Sequence, residues 1–211
     1  MISYICLLAA VFANLSCADD MDNSKFDNMI PYGKQEVSYT YPKGEDNLRV
    51  LTFNIRHCAG SDDVINYDRT AAIINGMEPD IVCLQEVDYM TTRSNKVDQL
   101  KTLADKTGMN HYFSKSITYQ GGEYGNGLLF KGTPVSTRTS AAIAEFENYV
   151  VISTHLALEE NNRVESAKLL TQLAKEYKKV VYMAGDFNED LMNGAFFTEL
   201  KKEWNVVSST E

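Results

Sequence analysis

Short runs of apolar residues, each closing on a polar one, alternate along this chain with stretches in which apolar residues recur every three or four positions. The first kind reads as buried strand, the second as amphipathic helix. Leu48 to Asn54 predicts a strand, and Asp68 to Gly76, with Ala71, Ala72, Ile73 and Ile74, a short helix. Pro79 opens the run Asp80-Ile81-Val82-Cys83-Leu84, which closes on Gln85-Glu86. Asn95 to Lys106 predicts a helix with Val97, Leu100, Leu103 and Ala104 inward, Ser94 or Asn95 as N-cap and Gly108 as its stop. His111 to Tyr119 and Tyr124 to Phe130 read as paired strands, and Ala141 to Phe146 with Tyr149 to Thr154 as a hairpin over Glu147-Asn148. Asn162 to Tyr177 follows as a long helix, Val180 to Ala184 as a strand, and Leu191 to Trp204 as a last helix. This alternation implies an α/β domain in which helices cover sheets.

Four of the strands end on chemistry. Asn54, Gln85-Glu86, His155 and Gly185-Asp186-Phe187-Asn188 each stand where an apolar run stops. A carboxylate after buried positions is costly unless paired or bound to a cation, so Glu86 reads as a metal ligand or as a solvated loop acid. His155 reads as a structural histidine or a catalytic one. Asp186 and Asn188 can leave one turn together, the acid taking a proton from water and the amide bonding a phosphate oxygen. Alone, the pair is also what an Asx turn looks like. Four such groups at four strand ends make a shared site the more economical reading.

Composition sets limits on what that site meets. The 211 residues are 44% hydrophobic, enough for one domain with a large core. Net charge is −9, without the broad positive field of a protein that lives on nucleic acid. A small or lipid-like phosphate ester therefore suits the chain better than a long polyanion. No protein partner is inferred.

Residues 1–17 read as a signal peptide, because the apolar run from Ile2 to Leu15 falls short of the ~20 residues that cross a bilayer. Leu15-Ser16-Cys17 followed by Ala18 resembles a bacterial lipobox with Cys17 as the lipidated residue, and a simple cleaved leader is the alternative. Both readings put the protein outside the cytoplasm, as a lipoprotein of the periplasm or outer-membrane surface, or as a secreted protein. Residues 18–46 read as a polar tether, and 47–211 as the folded domain. With Cys6 in the leader and Cys17 lipidated, Cys58 and Cys83 remain, and both read as structural thiols.

Thr52-Phe53-Asn54-Ile55-Arg56, Pro79 through Val87, Tyr124-Gly125-Asn126-Gly127-Leu128-Leu129, Ser153-Thr154-His155-Leu156 and Gly185-Asp186-Phe187-Asn188 together resemble the endonuclease/exonuclease/phosphatase family, the DNase I-like metal-dependent phosphoesterases. The segment from Gln85 through Thr92-Arg93-Ser94 to Asp98-Gln99-Leu100 is most similar to its bacterial extracytoplasmic members. The resemblance implies a four-layer α/β sandwich and a Mg²⁺-dependent hydrolase of phosphodiesters or phosphomonoesters, with Mn²⁺ as the substitute cation. It implies that Glu86 is the principal metal ligand with Asn54 at or beside the metal. His155 would contact the phosphate or leaving group, Asp186 would activate water, and Asn188 would hold phosphoryl oxygens. Tyr124, Asn126, Arg56, Arg69 and Arg93 would line the substrate pocket, the arginines having a surface role as the alternative.

The family pattern continues past Gly-Asp-Phe-Asn to a further Asp and a closing Ser-Asp-His, which the sequence ending at Glu211 does not contain. Two expectations follow: a second sheet lacking its last strands, and activity that is weak or absent. The competing reading is an inactive surface lipoprotein that uses the same scaffold for binding.

Overall fold

The computed structural model of the chain describes residues 3–5, 47–139, 141–189 and 193–207. A four-stranded sheet, in the order β2-β3-β5-β4, is built from β2 (Val50–Asn54), β3 (Ile81–Tyr89), β4 (Asn110–Tyr119) and β5 (Gly122–Phe130). A six-stranded sheet runs β10-β1-β9-β8-β7-β6, from β1 (Ser3–Ile5), β6 (Ser136–Arg138), β7 (Ala142–Glu145), β8 (Tyr149–His155), β9 (Val180–Asp186) and β10 (Trp204–Val206). Helices α1 (Tyr67–Met77) and α2 (Gln99–Thr107) accompany the first sheet; α3 (Glu160–Ala174) and α4 (Ala195–Leu200) accompany the second.

Three cores fix the order of the layers. Ile74, Leu100, Leu103 and Ala104 of α1 and α2 pack on Leu51, Val82, Leu84 and Leu129. Ala167, Leu170, Phe196 and Phe197 of α3 and α4 pack on Val150, Ile152, Val181 and Met183. Between the sheets, Val50, Ile81, Cys83, Leu128 and Phe130 meet Ala142, Ala144, Val151 and Ala184. The alternating side chains of β2, β3, β5, β7, β8 and β9 thus feed two cores, as a helix-sheet-sheet-helix sandwich requires.

The expected elements are present, with differences that follow. β3 runs on past Glu86 to Tyr89, because Gln85 and Glu86 form a bulge rather than a strand end. α2 begins at Gln99, not Asn95: Asn95 and Lys96 take left-handed backbone, and the Asp98 carboxylate accepts the Lys101 N–H as the N-cap. Among the described residues the last helix spans Ala195–Leu200, and Trp204 belongs to β10, its indole N–H donating to Thr171 Oγ1 at 2.8 Å. β6 is an exposed edge strand that the apolar pattern does not announce. Ser3–Ile5, inside the stretch read as a leader, pair in parallel with β9 and β10. Cys6, Cys17 and the tether up to residue 46 lie outside the described residues. Cys58 and Cys83 are both buried thiols, and burial pushes the Cys58 thiol up to about 12, which leaves it inert. Among the described residues no helix is long and apolar enough to cross a membrane.

Candidate active site

Register brings the polar strand ends together. In the second sheet β8 and β9 are parallel and His155 stands beside Asp186. Gly185 lets the strands close at that point, since a Cβ there would meet the Thr154 carbonyl oxygen at 2.1 Å. In the first sheet β2 and β3 are parallel and Asn54 stands beside Gln85.

Glu86 reaches the same place by another device. Leu84 pairs with Gly127 and Val87 with Gly125, so Gln85 and Glu86 together oppose the single residue Asn126. Glu86 takes φ 60°, a left-handed conformation that costs a non-glycine residue about 1–2 kcal/mol. Gln85 is buried: its amide donates to the Cys83 carbonyl at 3.1 Å and to Ser153 Oγ at 3.4 Å, which links the two sheets behind the bulge.

The centre of the site is one amide between two acids. Asn54 Nδ2 donates to Glu86 Oε1 at 2.9 Å and to Asp186 Oδ2 at 3.0 Å. Asn54 Oδ1, the atom a cation would take, accepts the Arg56 backbone N–H at 3.0 Å. His155 Nε2 lies 3.8 Å from Asp186 Oδ2, wider than a direct hydrogen bond. Asp186 Oδ1 accepts the Asn188 backbone N–H at 3.0 Å, so the Asx turn forms, and it forms inside the site. The Asn188 side-chain amide donates to the Leu156 carbonyl at 2.7 Å, which ties the β9 turn to the β8 turn. Asn54, Glu86, His155, Asp186 and Asn188 are therefore brought together in one cluster.

The expected pocket residues divide. Tyr124 pairs across the strands with Asp88, beside Glu86. Burial, and then the charges of Glu86, Asp88 and Asp186, raise its hydroxyl above the usual value against the pull of Arg93, so Tyr124 stays protonated and can donate. Asn126, buried opposite the bulge, is the other β5 contributor. Arg93 donates from Nε and Nη2 to Asp88, both at 2.8 Å, and its guanidinium lies 4.7 Å from the Tyr119 ring centre and 5.6 Å from that of Tyr124. Arg69 grips the Asp62 carboxylate with both terminal nitrogens and donates to the Val64 carbonyl. Arg56 is exposed, donates to the Gly60 carbonyl and pairs with Asp63 at 2.6 Å. Arg56 and Arg69 thus brace the loop from Gly60 to Val64.

Sequence reasoning missed the supports. Asp88 is fully buried; its carboxylate accepts from Thr91, Ser94 and Arg93, and its N–H donates to Gln99 Oε1 at 2.9 Å. Burial alone would raise its pKa, yet these hydrogen bonds hold the carboxyl below the usual range. Gln99 Nε2 then donates to the His57 carbonyl at 2.7 Å, in a run, Arg56 to Cys58, that is left-handed throughout. His57 Nδ1 is buried without a partner, and its pKa is lowered, first by burial and then by Arg93. The one available signal was the spacing Asp88…Thr91…Arg93-Ser94…Gln99, all side chains with a hydrogen bond to give or take.

The described domain is similar in fold to an endonuclease/exonuclease/phosphatase family protein from Leptotrichia buccalis, at 17% identity, TM-score 0.57, 74% of this chain and 73% of that one. An endonuclease/exonuclease/phosphatase from Beutenbergia cavernae matches at 21% identity and TM-score 0.48, and TDP2 from Caenorhabditis elegans at 18% and 0.47. The matches cover 71% and 67% of this chain, and only 50% and 47% of those two longer ones. No curated protein matches the sequence. The model of the endonuclease/exonuclease/phosphatase family matches residues 51–202, which include every residue of the central cluster. By that match across most of its length, the chain belongs to the endonuclease/exonuclease/phosphatase family.

Proposed function

We propose that the protein hydrolyses phosphoester bonds with a bound divalent cation, Mg²⁺, for which Mn²⁺ can substitute. The observation that carries this reading is the Asn54 amide held between the carboxylates of Glu86 and Asp186, one from each sheet. Two acids brought this close repel, and a cation relieves them. The donors are hard oxygens, and no three His, Cys, Asp or Glu side chains among the described residues form a metal cage. That set fits Mg²⁺, which keeps several waters and needs one or two carboxylates. Glu86 would hold the ion, with Asn54 beside it. When bound, the cation neutralises charge on the phosphoryl oxygens.

The remaining work falls to the chain's own groups. Asp186 orients the attacking water and accepts its proton. His155, partly exposed beside it, donates to the phosphate or the departing oxygen. Asn188 keeps one amide N–H beyond its Leu156 bond for a phosphoryl oxygen. Tyr124, Asn126 and Arg93 form the wall against which the substrate lies, and Arg56 and Arg69 shape its rim. The −9 net charge supports a small or lipid-like ester over a long nucleic acid. A cleaved leader over residues 1–17 with a lipidated Cys17 would make it an extracytoplasmic protein held to a membrane by a lipid anchor, and would take β1 out from between β9 and β10.

The test is initial rates on bis(p-nitrophenyl) phosphate and p-nitrophenyl phosphate, with Mg²⁺ or with EDTA, beside Asp186→Ala. Cation-dependent turnover that disappears in Asp186→Ala is expected; turnover that survives EDTA or that substitution overturns the reading.

A further inference from the structure

The buried ion pair between α3 and the β9 turn has no part in the proposed hydrolysis, yet it touches both turns that carry the chemistry. Arg163 leaves the first turn of α3 and is 7% exposed; the side chain of Glu189, next to Asn188, is equally hidden. Arg163 Nη1 donates to the carbonyls of Ala157, at 3.4 Å, and Leu158, while Nη2 donates to Glu189 Oε2 at 3.2 Å. Arg163 Nε is buried without a partner. Gly194 makes room for the acid, because a Cβ there would stand 2.8 Å from the Glu189 carboxylate.

We propose that Arg163 is a positioning residue that sets His155 against Asp186 and Asn188 by clamping the turn after β8 to the turn after β9. Leu158 lies three residues beyond His155 and Glu189 one beyond Asn188, so the guanidinium bridges the two turns just outside the site. Two rungs complete the brace inside it: the Leu156 N–H to the Asp186 carbonyl at 2.9 Å, and the Asn188 amide to the Leu156 carbonyl. Stability alone does not call for such a pair, since well-packed apolar side chains of like volume hold a fold as well or better. An apolar pair cannot donate to two backbone carbonyls, and the forked guanidinium can.

This inference rests on the proposed hydrolysis, and the experiment separates the two. Arg163→Met, Glu189→Leu and the double variant are compared with wild type for Tm, kcat, KM and the 1H–13C signal of the His155 ring. Arg163→Met alone is expected to lower Tm, because it leaves Glu189 buried beside lost bonds. The double variant is expected to recover Tm while kcat stays reduced, by on the order of 10²-fold, with KM little changed. The His155 signal should broaden or shift in the double variant. Wild-type kcat and an unmoved His155 signal in the thermally recovered double variant would overturn the clamp. If wild type turns over no phosphoester, the hydrolytic reading fails, and the His155 signal still decides whether Arg163 positions that ring.

Discussion

The two sheets deliver their halves of the site by different means. The second sheet uses register: β8 and β9 run in parallel, Gly185 lets them close, and His155 and Asp186 arrive as neighbours on ordinary strand backbone, with left-handed backbone only at Asn188 (φ 49°) in the turn beyond. The first sheet uses strain: Glu86 is thrown out of β3 by a bulge at φ 60°, and the Arg56–Cys58 run beside it is left-handed. Strained backbone persists only where its surroundings over-determine it. The support is correspondingly denser there, with Asp88, Thr91, Arg93, Ser94 and Gln99 in one hydrogen-bonded network. A register-built half can be held by one clamp, whereas a strain-built half needs a scaffold.

Breaking each half should separate chemistry from scaffold. Asp186→Asn keeps the Asx turn but not the base, and turnover should fall by about 10²–10⁴-fold with little change in Tm; a loss under tenfold by steady-state kinetics would mean that Asp186 is not the base. Asp88→Ala leaves Arg93 beside a hole and should lower unfolding free energy by about 3–5 kcal/mol in urea titration. A loss below ~1 kcal/mol, the scale of an exposed pair, would mean that the network does not hold the bulge. Glu86→Gly relieves the backbone while removing the carboxylate. Stability should hold or rise by up to about 1 kcal/mol while cation-dependent turnover vanishes; a large destabilisation would show that Glu86 is not strained.

The smallest effect is one of pH. His57 has a folded pKa below its unfolded value of about 6.5, so the unfolded chain binds more protons between those two values. The stability contributed by neutral His57 is present above that unfolded value and is lost as pH falls toward the folded one. Urea midpoints measured from pH 7.5 down to 5 should therefore fall, and His57→Gln should flatten that slope; a slope unchanged by the substitution would place the proton elsewhere.

The register-built half was legible in the sequence because its signal is local. Apolar runs ending on His155 and Asp186 name both strands and both groups, and the helical spacing of Ala167, Leu170 and Ala174 names the helix between them. The bulge was not legible, since two residues opposing one is a count made across β3 and β5, not along either. Glu86 read as a strand end for the same reason. Arg163 was hidden because an arginine in the first turn of a helix looks solvated; its burial depends on the turn that leads into α3 and on Glu189, brought in from the turn after β9. Ser94 and Asn95 read as the N-cap in place of Asp98 because the left-handed turn at Asn95 and Lys96 follows a segment anchored by long-range bonds, such as the Arg93 N–H to Gln120 Oε1.

The central claim is that a residue from each sheet meets at one cation. Calorimetric titration of the metal-free protein with Mn²⁺, in wild type, Glu86→Gln and Asp186→Asn, tests it directly. One binding site, lost or weakened at least tenfold in Glu86→Gln and altered in Asp186→Asn, is the predicted result. Binding that is absent in wild type, or undiminished in Glu86→Gln, would contradict the account.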